Sequence, residues 1–275
     1  MITIGERING QFNDVKTAIA ERDPGPVQAL ARRQTEAGAS YLDINVGTAA
    51  ADPCDAMKWL VETAQAACET PLCLDSQKPD VIRAGLEVCD TSRGVLLNSS
   101  PLSKKSDPEV LTTYAGMAAE ANGKLIGLTM DAEGVPQTAD RRVEVAAELL
   151  TQAMELGLEP DHLFIDPIVL PVNVPNAQNQ PVAILRAIEQ IALLSDPQPH
   201  ITLGLSNLSQ GAAERSLINR TFVAMLISHG CDSAIVDVLD DALVDTIAAA
   251  EMLMNKQIYS DSFLRAYRSQ AGRLR

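Results

Sequence analysis

No segment of this chain approaches the ~20 consecutive apolar residues that a membrane-spanning helix requires. Its opening residues, MITIGERING, also lack the basic region and apolar stretch of an export signal. Membrane spanning and export are therefore disfavoured, and a cytoplasmic location is expected. Basic residues are few: 22 Lys and Arg stand against 36 Asp and Glu, a net charge of −14. Such a balance repels phosphate backbones and anionic lipid, so neither nucleic acid nor a membrane surface is expected as a partner. The five cysteines (Cys54, Cys68, Cys73, Cys89, Cys231) are scattered and form no CxxC pair. That excludes a disulfide framework and a zinc or iron–sulfur cluster of the usual spacing, and fits a reducing compartment. The HExxH, GxSxG, P-loop and GxGxxG patterns are absent. There is no linker rich in Gly, Ser or Pro, and no low-complexity tract.

What the chain does have is an unbroken alternation. Eight short β-rich apolar runs end in polar residues: ITIGER, YLDINV (41–46), LCLDS (72–76), GVLLNSS (94–100), LIGLTM (125–130), LFIDPIV (163–169), ITLGLSN (201–207) and SAIVDV (233–238). Each is followed by a helix-patterned segment: 26–39, 53–68, 79–89, 108–121, 139–156, 181–194, 216–229 and 241–253, several of them opened by proline. Parallel strands joined by helical crossovers, in 275 residues of which 46% are hydrophobic, predict one (β/α)₈ TIM barrel. The expected domain is the whole chain, with the barrel to about residue 258 and a basic tail over 259–275.

In such barrels the chemistry sits where strands end, because the βα loops form a concave site on that face. Asp43, Asp75, Asn98, Asp166 and Asn207 all fall in the C-terminal halves of their runs. Any one of them could be a helix cap. Five together point to a polar mouth, since a buried carboxylate costs several kcal/mol unless it is paired or bound to a ligand. Carboxylates with adjacent amides suit a flat heterocycle carrying neighbouring N–H donors, and a pterin has such an edge. The three histidines are poorly placed for catalysis. His162 and His200 lie at strand starts and His229 at a helix end, so each is read as a surface or packing residue. Cys73 shares a strand face with Asp75 but lacks a histidine partner, and is read as a small core residue.

The motifs GERING (5–10), LDINVG (42–47), LCLDS, LNSS (97–100), IGLTM, IDPIVLP (165–171), LGLSNLSQ (203–210), LINRTF (217–222) and YSDSF (259–263) follow one another along the chain. In that order they resemble the methyltetrahydrofolate:corrinoid protein methyltransferases. The resemblance implies a pterin-binding TIM barrel, usually a homodimer. Such enzymes move a methyl group between N5 of tetrahydrofolate and the cobalt of a corrinoid (cobalamin) held by a separate protein. It implies further that Asp75, Asn98 and Asp166 bind the pterin edge and that Asn207 places its amide near N5. Asp43, Ser206 and Gln210 match motif positions around the same pocket.

N5 of 5-methyltetrahydrofolate is a poor leaving group, so transfer from it requires that the enzyme stabilise a protonated or charge-bearing N5. The Asn207 amide can hydrogen-bond there but cannot deliver a proton. Asp43 or Asp75 is therefore expected to tune a water network that does. The chain lacks a DxHxxG-type histidine loop, so the corrinoid must come from a partner docking over the mouth. The loops at 9–25 and 210–217 are candidate contacts for it. Arg7, Lys78, Arg215 and Arg220 are candidates for the folate glutamate tail, with solvated ion pairs as the ordinary alternative. Three alternatives stay open. Dihydropteroate synthase is disfavoured because the first loop reads INGQFND and the eighth strand ends in DVLDD without an RxH motif. A divalent-metal barrel would use Asp43, Asp75 and Asp166 as oxygen ligands, although no metal site is assigned here. A folate-binding protein without catalysis would use the same pocket.

Overall fold

The computed structural model describes residues 1–257 apart from positions 49 and 176. The first half runs β1 (Ile2–Asn9), α1 (Asn13–Glu21), α2 (Pro24–Glu36), β2 (Tyr41–Asn45), α3 (Pro53–Gln65), β3 (Leu72–Asp75), α4 (Pro79–Leu86), β4 (Val95–Pro101) and α5 (Val110–Glu120). The second runs β5 (Lys124–Leu128), α6 (Ala139–Glu155), β6 (Leu163–Asp166), α7 (Gln180–Ile191), β7 (His200–Ile201), α8 (Leu205–Leu208), α9 (Arg215–Ser228), β8 (Ser233–Val236) and α10 (Asp241–Leu253). The sheet order is β7-β6-β5-β4-β3-β2-β1-β8, with every neighbouring pair parallel. The barrel closes between its ends: Ile235 N–H donates to Leu203 O at 2.9 Å, and Gly204 bridges Ile235.

Helix starts follow local chemistry. Pro24, Pro53 and Pro79 occupy first turns, where a missing N–H costs nothing. The Asp23, Asp52 and Asp240 side chains accept from the first backbone N–H groups of α2, α3 and α10. Strand residues then divide by parity. Leu72 and Leu74 of β3, Val95 and Leu97 of β4, and Leu163 and Ile165 of β6 join the large apolar layer beneath the helices. Their neighbours Cys73, Leu96 and Phe164 turn inward and, with Ile4 and Ile126, form a separate plug inside the barrel. That plug seals the lower barrel and leaves the upper tier free for polar residues.

Two expectations need correction. The segment 9–25 is not a loop: it contains α1, whose Val15, Ala18 and Ile19 are buried at helical spacing. The seventh strand does not extend to 207. It stops at Ile201, and residues 205–208 form the one-turn α8, so Asn207 sits on a helical turn above the sheet. Pairing of this segment with β8 passes to Leu203 and Gly204, and the chain then turns inward over the mouth. The basic tail and the YSDSF motif lie outside the described residues.

Candidate active site

A cavity of about 610 Å³ opens at the C-terminal ends of the strands. All seven site residues expected from the sequence line it: Asp43, Asp75, Asn98, Asp166, Ser206, Asn207 and Gln210. Register explains the convergence. Asn45 of β2 pairs with Asp75 of β3, which pairs with Asn98 of β4, so three polar side chains stand abreast. Asp43 lies one step deeper, level with Cys73. Its neighbours are satisfied locally: Asn98 Nδ2 donates to Asp43 Oδ1 at 3.1 Å, and Asn45 Nδ2 donates to Asp75 Oδ2 at 2.5 Å.

These carboxylates are unusual acids. Burial pushes Asp43 well above the ordinary range and the adjacent Asp75 adds to this, while hydrogen bonds from Asn98 and Cys73 oppose it. Burial raises Asp75 to about 6 against hydrogen bonds to Asn45 and Asp43. Two carboxyl groups in contact in a dry site hold one proton between them and titrate as a pair. Asp166 is separate from them. Burial lifts it to about 7, opposed by backbone N–H groups of Ile168 and Gly204 and by the charge of Arg142. The Ile168 N–H donates to Asp166 Oδ1 at 2.7 Å and holds Ile168 at φ 57°. A β-branched residue enters that region only when its surroundings impose it, so the turn after β6 is braced by the site carboxylate. Arg142, buried on α6, donates from Nε to Pro167 O at 2.9 Å and fixes the same turn from behind.

Beyond β7, next to Asp166, α8 carries Ser206 and Asn207. A Cβ added at Gly204 would stand 3.1 Å from Asn207 Nδ2, so the amide of Asn207 lies close over the Gly204 backbone. The Ser206 hydroxyl donates to Glu6 Oε1 at 2.7 Å.

Glu6 and Asn45 are cavity residues that the sequence reading missed. Asn45 ends β2 as Asp75 and Asp166 end β3 and β6, and that signal was available. Glu6 was hidden by a bulge in β1: Gly5 pairs with Leu42 and Ile8 with Ile44, so alternation fails at Glu6 and Arg7. Of the four basic candidates only Arg215 lines the cavity. Arg7 lies 3.9 Å over the Phe12 ring and pairs with Asp14 at 3.2 Å. His162 and His200 lie at the far end of the barrel, where His200 Nδ1 is 2.7 Å from Asp232 Oδ2, and His229 caps α9. Cys73 is fully buried with its thiol raised well above the usual range by burial, which suits a core residue. Among the described residues no group of three or more His, Cys, Asp or Glu is arranged to hold a metal ion.

Known proteins resemble this chain in sequence and in fold. The model of the family described as "Pterin binding enzyme" matches residues 8–237. A methylcorrinoid:tetrahydrofolate methyltransferase of Eubacterium limosum is 32% identical over 268 residues, covering 98% of this chain and 96% of that protein. The methionine synthase of Mycobacterium tuberculosis is 30% identical over 243 residues, 86% of this chain but 20% of that longer protein. Among solved structures, dihydropteroate synthase from Xanthomonas albilineans in complex with 7,8-dihydropteroate superposes with a TM-score of 0.62 at 18% identity, covering 94% of each chain. Dihydropteroate synthase from Thermus thermophilus does so with a TM-score of 0.62 at 17% identity and the same coverage. The structural likenesses establish the barrel. The family match over most of the length, with a full-length relative above 30% identity, goes further: this chain belongs to the pterin-binding enzyme family.

Proposed function

We propose that this protein is a methyltransferase that moves a methyl group between the cobalt of a corrinoid carried by a separate protein and N5 of tetrahydrofolate. The observation that carries the reading is the convergence of Asp75, Asn98, Asp166 and Asn207 on a single cavity. The donor set fits a pterin. Asp75 and Asp166 accept from the ring N–H and exocyclic amine, and Asn98, whose Nδ2 is committed to Asp43, offers its carbonyl oxygen.

Transfer from the corrinoid to the folate, the direction named for the Eubacterium relative, forms an N5–C bond and leaves the cobalt–carbon electron pair on the metal. N5 must then shed the proton it carried, and the reverse reaction must supply one. Asn207 accepts from an N5–H and donates to a bare N5, so it can hold both states but cannot keep the proton. The Asp43–Asp75 pair, with Asp75 near 6, takes up or releases a proton close to neutrality and acts through ordered water. Asp43 and Asn207 are thus the catalytic residues of the proposal, with Asp75, Asn98, Asp166, Ser206 and Gln210 binding the folate.

The corrinoid protein docks across the open mouth, touching α1 and the segment 210–217, a loop that runs into the first turn of α9. The enzyme is a single domain and a cytoplasmic homodimer. In support, none of the five cysteines is paired, and no described helix is long and apolar enough to cross a membrane. Met225 of α9 and Leu253 of α10 remain 40% and 80% exposed, which favours a subunit contact there. The test is anaerobic single-turnover mixing with 5-methyltetrahydrofolate and Co(I) cobalamin, and with the reverse pair, followed by the cobalt spectrum. Methyl transfer that collapses in Asn207→Ala supports the reading. Tight folate binding without transfer in either direction would leave a binding protein.

A further inference from the structure

One carboxylate of the mouth has no part in the chemistry proposed above: Glu6, partly buried at the bulge of β1. Bulges beside active sites re-aim side chains, and this one turns Glu6 across the mouth toward α8 rather than into the β1–β2 ladder. There Glu6 Oε1 accepts from Ser206 Oγ at 2.7 Å, a bond between residues 200 positions apart. A four-residue turn has too few internal hydrogen bonds to fix its own orientation, so α8 depends on what holds it from outside. Three ties do so. Gly204 N–H binds the Asp166 carboxylate, and Leu208 O accepts from Val172 N–H at 2.9 Å. The third is Glu6 on Ser206, the residue immediately before Asn207. Arg215 of α9 completes the arrangement: its Nη2 donates to Ser206 O and its Nε to Ser209 Oγ, both at 3.3 Å.

From this geometry we infer that Glu6 is a positioning residue for methyl transfer: through Ser206 it sets where the Asn207 amide meets N5. The charges around it are arranged for a fixed anchor. Burial raises Glu6 and Asp237 raises it further, while the Ser206 hydroxyl, Arg215 and Arg7 oppose them, and Asp43 faces it from β2. The inference rests on the methyl-transfer reading for its kinetic consequence but not for its structural one.

The test compares Glu6→Ala, Glu6→Gln, Ser206→Ala and the Glu6→Ala/Ser206→Ala double variant with the wild type. Measured are single-turnover transfer between tetrahydrofolate and methylcobalamin, tetrahydrofolate affinity by calorimetry, and the side-chain amide resonances of Asn207. Glu6→Ala and Ser206→Ala should each slow transfer by about ten- to a hundredfold, the scale on which small misplacements act, and Glu6→Ala should change affinity by less than about threefold. The double variant should be no slower than either single one, because both break the same bond. Glu6→Gln keeps an oxygen that accepts from Ser206, and should restore the rate with an unmoved pH profile. The Asn207 resonances should shift in the alanine variants and not in Glu6→Gln. Unshifted resonances in both alanine variants overturn the inference, as do additive losses or a Glu6→Gln variant as slow as Glu6→Ala. If the wild type transfers no methyl group, the functional reading fails while the resonances still decide the positioning role. If Glu6→Ala does not fold, Ser206→Ala carries the same contrast.

Discussion

Replacing Asp166 by Asn should change how the stability of the free protein depends on pH. Asp166 is 8% exposed and its proton is held to about pH 7, against an ordinary value of 3.8. The sign follows from proton counting. Between about pH 4 and pH 7 the unfolded chain has released this proton and the native protein has not, so raising the pH favours unfolding. The native penalty is complete above pH 7. A displacement of about three pH units, at about 1.4 kcal/mol per unit, amounts to at most roughly 4 kcal/mol. Asn cannot ionise, so its stability relative to wild type should climb across that window by up to about this amount and level off beyond it. Because the Asp43–Asp75 pair is not among the groups that shift Asp166, its own pH dependence should be common to both proteins and cancel. The assay is urea unfolding at closely spaced pH values from about 4 to 8, with m-values checked for constancy. Saturating tetrahydrofolate should recover much of the wild-type loss, since its N–H donors favour the ionised carboxylate, and should do little for the variant. Parallel stability curves for the two proteins over the whole range would refute the argument, because they would mean that Asp166 is ionised throughout and its burial costs nothing.

Three further outcomes are expected. Gly204→Ala keeps an allowed backbone (φ −75°) but crowds the Asn207 amide, so single-turnover transfer should fall by about tenfold while the melting temperature barely moves. Asp43→Asn should shift or flatten the pH–rate profile of transfer, whereas an unaltered profile would remove the carboxylate pair from the proton path. Phe164→Ala empties the centre of the inner plug and should cost about 3–5 kcal/mol in denaturant unfolding without altering the pH profile of any folate complex that still forms.

The barrel was legible because its two periodicities are clean. Alternation in LCLD and LFID places Cys73 and Phe164 inside and their leucine and isoleucine neighbours outside, and proline with an aspartate cap marks where α2 and α3 begin. The polar mouth was legible for the same reason: Asp75 and Asp166 end β3 and β6, and parallel register sets Asp75 level with Asn98. The misreadings fall where alternation is interrupted. Glu6 sits in a bulge, which adds a residue to one strand and reverses the facing of the residues beyond it. Asn207 was placed on a strand because ITLGLSN is apolar and β-branched enough to be one, yet its pairing with β8 reaches only as far as Leu203 and Gly204. α1 went unseen because only Arg22 and Asp23 separate it from α2, so two helices read as a loop followed by one.

The short seventh strand gives the barrel a seam. From β8 through β1 and round to β6, neighbouring strands pair over four or more residues. By contrast the ladder of β7 with β6 covers just His200 and Ile201, and the backbone pairing of its segment with β8 runs through Leu203 and Gly204 against Ile235. A closed cylinder with one weak stave parts first along it, and the amides there should exchange with solvent before those of the other seven strands. The seam lies directly beneath α8. The part of the wall that yields most easily is therefore the part that carries Asn207, while the wall that carries Asp43, Asp75 and Asn98 is laced on both sides. Such a vessel keeps its grip on the flat ring and can still relax around the atom at which the methyl group arrives or departs.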